Sequence, residues 1–406
     1  MGLSLPEKMG IAATERRYQT LLERLEQREA RVVVMGAGYV GLTLAVEAAR
    51  IGFPVTCYEI DPAKVTAIRN GISGVPGISA EELKRLQKSK RLVCSNQPAA
   101  LSAAEVIVIC VATPLNGGRE PDTSQIETAA TCIRYYLKPG TLVILESTSY
   151  PGTTEELVKP ILEASALKAE KDFWLAFSPE RVDPGNPNYG LHNTPKVLAG
   201  IGEKSTALTQ AFYSQTVEKT VTVSSPTAAE MVKLHENTFR NINIAFVNEM
   251  ALLCDRLGLD IWEIIQAASS KPYGFMPFHP GPGPGGHCIP VDPHYLSWKA
   301  RQHNFDCKFI ELASSINDQM PNHVRTKTAE ALKRANKSLN EAKILLLGAA
   351  YKRDIADTRE SPIFRLISLF RESGAQVTYH DPLVAELRLA DSTLMESVEL
   401  TPETLA

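Results

Sequence analysis

The stretch RVVVMGAGYVGLTLAVEAARIGFPVTCYEID, Arg31 to Asp61, constrains the fold of this chain more than any other. An apolar strand runs into a glycine turn, a helical segment follows, Gly52 stops it, and a second strand closes the unit. Two strands joined through a helix lie parallel in one sheet. The apolar runs EVIVICVAT and TLVILEST continue the pattern with helical segments between them. The region from residue 31 to about 215 therefore reads as a doubly wound α/β domain, its parallel sheet buried on both faces.

The glycine turn carries chemistry as well as shape. In Gly36-Ala37-Gly38-Tyr39-Val40-Gly41 the first glycine permits a tight turn, the second lets backbone approach a pyrophosphate, and the third lets helix and strand pack closely. Phosphate then meets the helix N-terminus. Glu59 ends the next strand, where a carboxylate holds a ribose diol and repels a 2′-phosphate, so the cofactor expected is NAD rather than NADP. Asp61 lies on the same face as an alternative or outer partner. A plain glycine turn is the bland reading of the same residues, and the flanking strand, helix and acid favour a Rossmann-type cofactor domain.

Texture changes elsewhere along the chain. Before the sheet, residues 1–30 hold an amphipathic helix, with Tyr18, Leu21, Leu22 and Leu25 at helical spacing from about Thr14 to Arg28, expected to pack on the first domain. After it, residues 216–330 read as a central all-helical domain with one long helix from Thr227 to about Leu257, its apolar residues spread widely enough to suggest burial on several sides and a dimer core. From about residue 331 a second, Rossmann-like α/β domain follows, with KILLLGAAYKRD, a helix at SPIFRLISLFRESG and the strand AQVTYHDP. The 43 basic and 46 acidic side chains of the whole chain nearly cancel, so no overall field favours nucleic acid or a membrane surface. Seven scattered cysteines without CxxC spacing point to a reducing compartment and away from zinc. The N-terminus lacks signal-peptide character and no apolar run is long enough to span a membrane, so a cytoplasmic location is expected.

Further candidate site residues follow strand ends or share a helix. Thr113 in VATP and Thr148 in ESTSYPGTT follow apolar strands, where doubly wound sheets bind ligands, although Ser and Thr there also serve as helix caps. Glu180 and Arg181 lie between prolines in FSPERVDPGN. Lys233, Asn237 and Arg240 project from one face of the long helix, and a lysine in a cleft there could stabilise an alkoxide. The loop HPGPGPGGHCIPVDP carries Cys288, with Asp292 four residues on. Its glycines, Gly285 and Gly286 among them, allow a ligand close to the backbone, and its prolines limit motion. His287 reads as loop packing, since adjacent side chains usually diverge. A lone cysteine is most often a small buried hydrophobe, but beside a dinucleotide fold a nucleophilic thiolate is the better reading.

Together GAGYVG, ESTSYPGTT, SPERVDPGN, KLHEN, GGHCIPVDP and YKRDIADTRES resemble, in order and over nearly the whole chain, the nucleotide-sugar 6-dehydrogenases related to UDP-glucose dehydrogenase. The proline-rich loop resembles most the branch that oxidises UDP-N-acetylglucosamine. The resemblance implies a twofold oxidation of the sugar C6 alcohol to a carboxylate with two NAD in turn, through a thiohemiacetal and a thioester on Cys288. It implies that Lys233 and Asn237 stabilise oxygen charge, that Thr148 and Asp292 position the catalytic water, that Glu180 serves thioester hydrolysis, and that Arg359 reaches the cofactor. Arg181, Arg240, Gly285, Gly286 and Lys352 are implied as substrate contacts, and the family assembles as dimers or larger homo-oligomers through the central domain.

Two departures bear on the substrate and on the last domain. Val291 stands where the UDP-glucose branch usually has lysine, which argues against that sugar, and the UDP-N-acetylmannosamine branch, second choice here, usually has a different loop before GGHC. Only about 25 residues follow Asp381, so by this resemblance the C-terminal domain is incomplete. Two other readings remain: a single-step β-hydroxy acid dehydrogenase, which needs the lysine but no cysteine, and an NAD-binding module without catalysis.

Overall fold

A computed structural model describes residues 5–75, 77–183 and 185–405. Residues 1–4 of the expected N-terminal segment, Pro184 of the SPERVDPGN turn, and Ala406 lie outside the described residues. The chain forms two compact units, Met1–Lys233 and Leu234–Ala406, taken in turn.

The first unit is built on strands β1 (Val32–Met35), β2 (Val55–Tyr58), β3 (Leu92–Ser95), β4 (Val106–Ile109), β5 (Leu142–Leu145), β6 (Trp174–Phe177), β7 (Lys196–Gly200) and β8 (Thr220–Thr222). They form one sheet in the order β3-β2-β1-β4-β5-β6-β7-β8. Successive side chains of a strand point to opposite faces, and both faces are apolar here. Val32, Val34, Val106, Val108, Leu142 and Ile144 enter one core, while Val33, Met35, Ile107, Ile109, Val143 and Leu145 enter the other. Each such side chain contributes about 1.5–3 kcal/mol when fully buried.

The sheet corrects the all-parallel expectation. β7 pairs antiparallel to β6, with Phe177 opposite Ala199, and β8 runs parallel to β7. The sheet therefore extends past residue 215, to Thr222, inside the region read as all-helical. The N-terminal helix spans Leu5–Glu26, longer than its periodicity suggested. It packs on the helix Glu203–Tyr213, burying Leu21 and Leu25. Arg24 clamps Glu105 through two nitrogens, and Thr14 donates to the Lys171 carbonyl at 2.9 Å.

The second unit holds most of the long helix Pro226–Leu257 and the helices Ile261–Ser269, Asp292–Gln302 and Lys308–Arg334. The long helix is not buried on several sides within the chain. Leu234, Ala245, Val247 and Cys254 are covered, but Met231, Phe239, Phe246, Leu253 and Leu257 are exposed. Its inward face is partly polar: the Asn248 amide donates to Asn317 at 2.9 Å, and Asn317 donates to the Asn241 carbonyl. The α/β part pairs β9 (Lys343–Leu347) in parallel with β10 (Gln376–His380). The helix Pro362–Glu372 covers them, and β11 (Glu386–Arg388) with β12 (Leu394–Glu396) adds an antiparallel hairpin.

Candidate active site

In the first unit the three glycines of the turn divide their work as the sequence implies. Gly36 has φ of 100°, and a Cβ there would lie 2.5 Å from the Cys110 carbonyl oxygen. A Cβ on Gly41 would lie 2.0 Å from the Gly36 oxygen, so helix and strand touch through it. At Gly38, the N-cap of the helix Tyr39–Ile51, a Cβ would meet nothing within 4 Å. Open space at the middle glycine and an uncapped helix N-terminus fit a dinucleotide pyrophosphate. Tyr39 and Val40, both half-buried, begin that helix.

Glu59 is buried and braces the turn. Its carboxylate accepts from the Ala37 amide at 2.9 Å and from the Asp61 amide at 3.1 Å. Asp61 has another task, for its side chain accepts from the Ala63 amide as N-cap of the helix Pro62–Arg69. Glu59 is thus tied to the glycine turn and Asp61 to its own helix. Thr113 and Thr148, both half-buried, follow β4 and β5.

Beyond Thr148 the chain bends into a π-helical turn, Thr153–Val158. Glu230, from the first turns of the long helix, is buried and holds this bend. Its carboxylate accepts from the Gly152 amide at 2.5 Å, the Thr154 amide at 2.9 Å and the Thr154 hydroxyl at 2.6 Å. Burial pushes its carboxyl up to about 7, against the pull of these three donors.

Glu180 is the centre of a cluster that pattern reading missed. The Lys196 ammonium bonds its Oε2 at 3.0 Å and also bonds Glu146. Glu146 accepts from the Cys110 thiol at 3.2 Å. The Glu180 Oε1 accepts from the Val182 amide at 2.7 Å. Burial alone would raise the Glu180 carboxyl, but the Lys196 ammonium, that amide and the Lys233 charge outweigh it and hold it below its ordinary value. Burial pulls the Lys196 ammonium down, and the two carboxylates overcome it and raise it. Arg181 donates to the Pro195 carbonyl at 2.7 Å, next to Lys196.

In the second unit an asparagine row on the long helix pins the breaker-rich loop. Asn248 accepts from the Gly281 amide at 3.0 Å, Asn241 donates to the Ile289 carbonyl at 2.9 Å, and Asn237 donates to the Asp292 carboxylate at 2.5 Å. Asn237 and Asp292 are both buried. Cys288 is half-buried, and its carbonyl accepts from the Asp292 amide at 2.8 Å, which starts the helix Asp292–Gln302. Asn241 and Asn248, at helical spacing from Asn237, were the available signal for this row.

Two expectations about the loop are corrected. His287 does not diverge from the thiol: its Nε2 lies 3.8 Å from the Cys288 Sγ. Nor do Gly285 and Gly286 leave room for a ligand through their missing side chains. A Cβ on Gly285 would lie 2.4 Å from the Tyr351 Cβ, and one on Gly286 would lie 2.9 Å from the Tyr351 ring, so these glycines make way for the chain itself. The Gly286 amide donates to the Arg359 carbonyl at 2.9 Å. The Arg359 guanidinium is exposed and pairs with Asp357 at 2.5 Å. Lys352, half-buried, follows Tyr351, and Arg240 is exposed on the long helix.

Comparison with known proteins gives the chain its context. Profiles described as the NAD binding, central and UDP binding domains of the UDP-glucose/GDP-mannose dehydrogenase family match residues 30–217, 227–319 and 345–405. A UDP-N-acetyl-D-mannosamine dehydrogenase of Pyrococcus horikoshii is 37% identical over 357 residues, 87% of this chain and 84% of that protein. A UDP-N-acetyl-D-glucosamine 6-dehydrogenase of Pseudomonas aeruginosa is 34% identical over 360 residues, 88% of this chain and 84% of that protein. The solved structure of the Pyrococcus horikoshii UDP-D-ManNAc dehydrogenase superposes with a TM-score of 0.83, covering 87% of this chain and 84% of that one. The chain belongs to the UDP-glucose/GDP-mannose dehydrogenase family of NAD-dependent oxidoreductases.

Proposed function

We propose that this protein oxidises the C6 alcohol of a UDP-N-acetylhexosamine twice, to the uronate, with UDP-N-acetylglucosamine as the leading substrate. The observation that carries the reading is the pinned loop, which sets a half-buried thiol between fixed points at Gly281, Ile289 and Asp292. NAD, when bound, accepts the hydride of each oxidation. Lys233 and Asn237 stabilise charge on the reacting oxygen, the Cys288 sulfur adds to the aldehyde carbon as a thiohemiacetal, and loss of the second hydride leaves a thioester. Water, positioned by Thr148 and Asp292 and deprotonated by Glu180, then replaces sulfur on that carbon and regenerates the thiol. Overall one alcohol, two NAD+ and one water give one carboxylate, two NADH and three protons.

Arg181, Arg240 and Lys352 remain the proposed substrate contacts, whereas Gly285 and Gly286 seat Tyr351 instead; Gly36, Gly38, Tyr39, Val40, Gly41, Glu59, Thr113, Thr148 and Arg359 are the proposed cofactor contacts. Asp61 drops to an outer position because it caps its own helix. The C2 epimer, UDP-N-acetylmannosamine, is the second reading, supported by the name of the 37% identical Pyrococcus horikoshii protein. The exposed Phe239, Phe246, Leu253 and Leu257 support assembly of the chain with a copy of itself through the long helix. Sedimentation at micromolar concentration tests this, and a monomer there refutes it. A panel of UDP-sugars with NADH counted per sugar tests the reaction: two NADH with UDP-N-acetylglucosamine supports it, one supports a single-step dehydrogenase, and none with any sugar refutes both.

A further inference from the structure

Lys196 buries an ammonium whose side chain is 2% exposed, an arrangement that persists only when paired charges repay the lost hydration. The pairing follows from strand direction. β7 runs against β6, so its first residue lies at the edge where β1 to β6 end, and extending the Phe177–Ala199 register by three residues sets Lys196 opposite Glu180. The second carboxylate on the same ammonium, Glu146, directly follows β5. The surroundings of Glu180 also include the Lys233 ammonium from the long helix, the Cys110 thiol after β4 and the Tyr213 phenol. Burial pushes the thiol and the phenol up, so both stay neutral. Arg181, next in the chain, turns its guanidinium to the Pro195 carbonyl.

We propose that Lys196 is a positioning residue for thioester hydrolysis, holding Glu180 as an oriented carboxylate, and that Glu146 sets how much of the ammonium's charge Glu180 receives. This rests on the roles given above to Cys288 and Glu180. In the step concerned, a water oxygen bonds to the thioester carbon, the carbon–sulfur bond breaks, the water proton passes to Glu180, and the Cys288 thiolate leaves; no electrons change carrier. Glu180 can accept that proton only when ionised, and a buried carboxyl without its cation holds a proton instead.

Three variants test this: Lys196→Met, Lys196→Arg and Glu146→Gln. Without the cation the acid limb of the hydrolysis rate moves up by about 1–3 pH units, and acyl-enzyme accumulates on Cys288 below it, read by intact mass. Lys196→Arg keeps the limb near its wild-type position. Glu146→Gln removes the competing carboxylate and moves the limb down, opposite to Lys196→Met; it also stands as the independent arm should Lys196→Met fail to fold. A purely structural lysine would lower the melting temperature without opposite shifts. Titration of 13Cδ-labelled glutamates by NMR, with Glu180 assigned through Glu180→Gln, reads the same shifts without substrate. Unmoved limbs and an unmoved Glu180 resonance, with wild-type enzyme still making two NADH per sugar, overturn the inference and leave the reaction standing. Wild-type thioester hydrolysis in Glu180→Gln overturns the role of Glu180, and with it the catalytic part of the inference.

Discussion

Glu230→Gln isolates the cost of one buried charge. Burial raises the Glu230 carboxyl to about 7, against an ordinary value of 4.5 in the unfolded chain. The folded state therefore binds a proton more tightly than the unfolded state, so this group's contribution is full below the unfolded value. It is lost progressively between the two values as pH rises, and is flat above them. Between pH 5 and pH 8 the wild-type protein loses about 2.5 kcal/mol through this group, at about 1.4 kcal/mol per pH unit of displacement. The glutamine does not titrate, so that slope disappears. Its amide oxygen can accept from one side only: if it keeps the Thr154 donors, its NH2 faces the Gly152 amide, which costs about 1–3 kcal/mol at every pH. The variant should be less stable than wild type at pH 5 and match or exceed it at pH 8. Urea unfolding followed at Trp174, with Trp262 and Trp298 replaced by Phe, gives the difference of differences, expected at about 2–3 kcal/mol. A difference that stays constant across pH would mean that the three donors keep Glu230 ionised throughout and would refute the burial argument.

Other variants separate structure from chemistry. Gly38→Ala meets no neighbour, so it should change stability by less than about 1 kcal/mol while weakening NAD binding at least about tenfold by calorimetry; unchanged NAD affinity would count against the turn as a phosphate site. Gly41→Ala drives a Cβ toward the Gly36 oxygen and should lower stability by about 1–3 kcal/mol or more in spite of a better helix former. Asn237→Asp sets a second buried carboxylate against Asp292 at the present 2.5 Å. The pair must share a proton, so melting temperature should fall from pH 5 to pH 8, and a flat profile would show that the two do not couple. Cys288→Ser should end steady uronate formation, measured as product acid, because the hydroxyl is a poorer nucleophile and leaving group; undiminished uronate would remove Cys288 from its role.

What the sequence disclosed was local. The GxGxxG turn between a strand and a helix declared its conformation, because each glycine answers a separate steric demand within a few residues. The thiol loop and Asn237 were legible for the same reason. Lys196 was not, since nothing in KVLAG tells which strand lies beside it or in which direction, and its partners are 50 and 16 residues away in sequence. Glu146 lay in view inside ESTSYPGTT, but its value depends on that distant lysine. Gly285 and Gly286 misled because a missing side chain does not say what fills the space, and here it is Tyr351. The long helix misled in turn: an apolar pattern around a helix does not distinguish residues covered by their own chain from Phe239, Phe246 and Leu253, which are exposed in it.

The reversed strand has a consequence for how such a protein can diversify. Lys196 belongs to the sheet, and its register is fixed by pairing with β6 and β8 rather than by the length of the segment before it. That segment exposes Pro187, Asn188, Tyr189, Gly190, His192 and Asn193, so insertions or exchanges there can change the exposed surface without shifting the charge beside Glu180. A one-residue slip of β7 would do the opposite, turning the ammonium to the other face of the sheet while leaving the surface loop chemically intact.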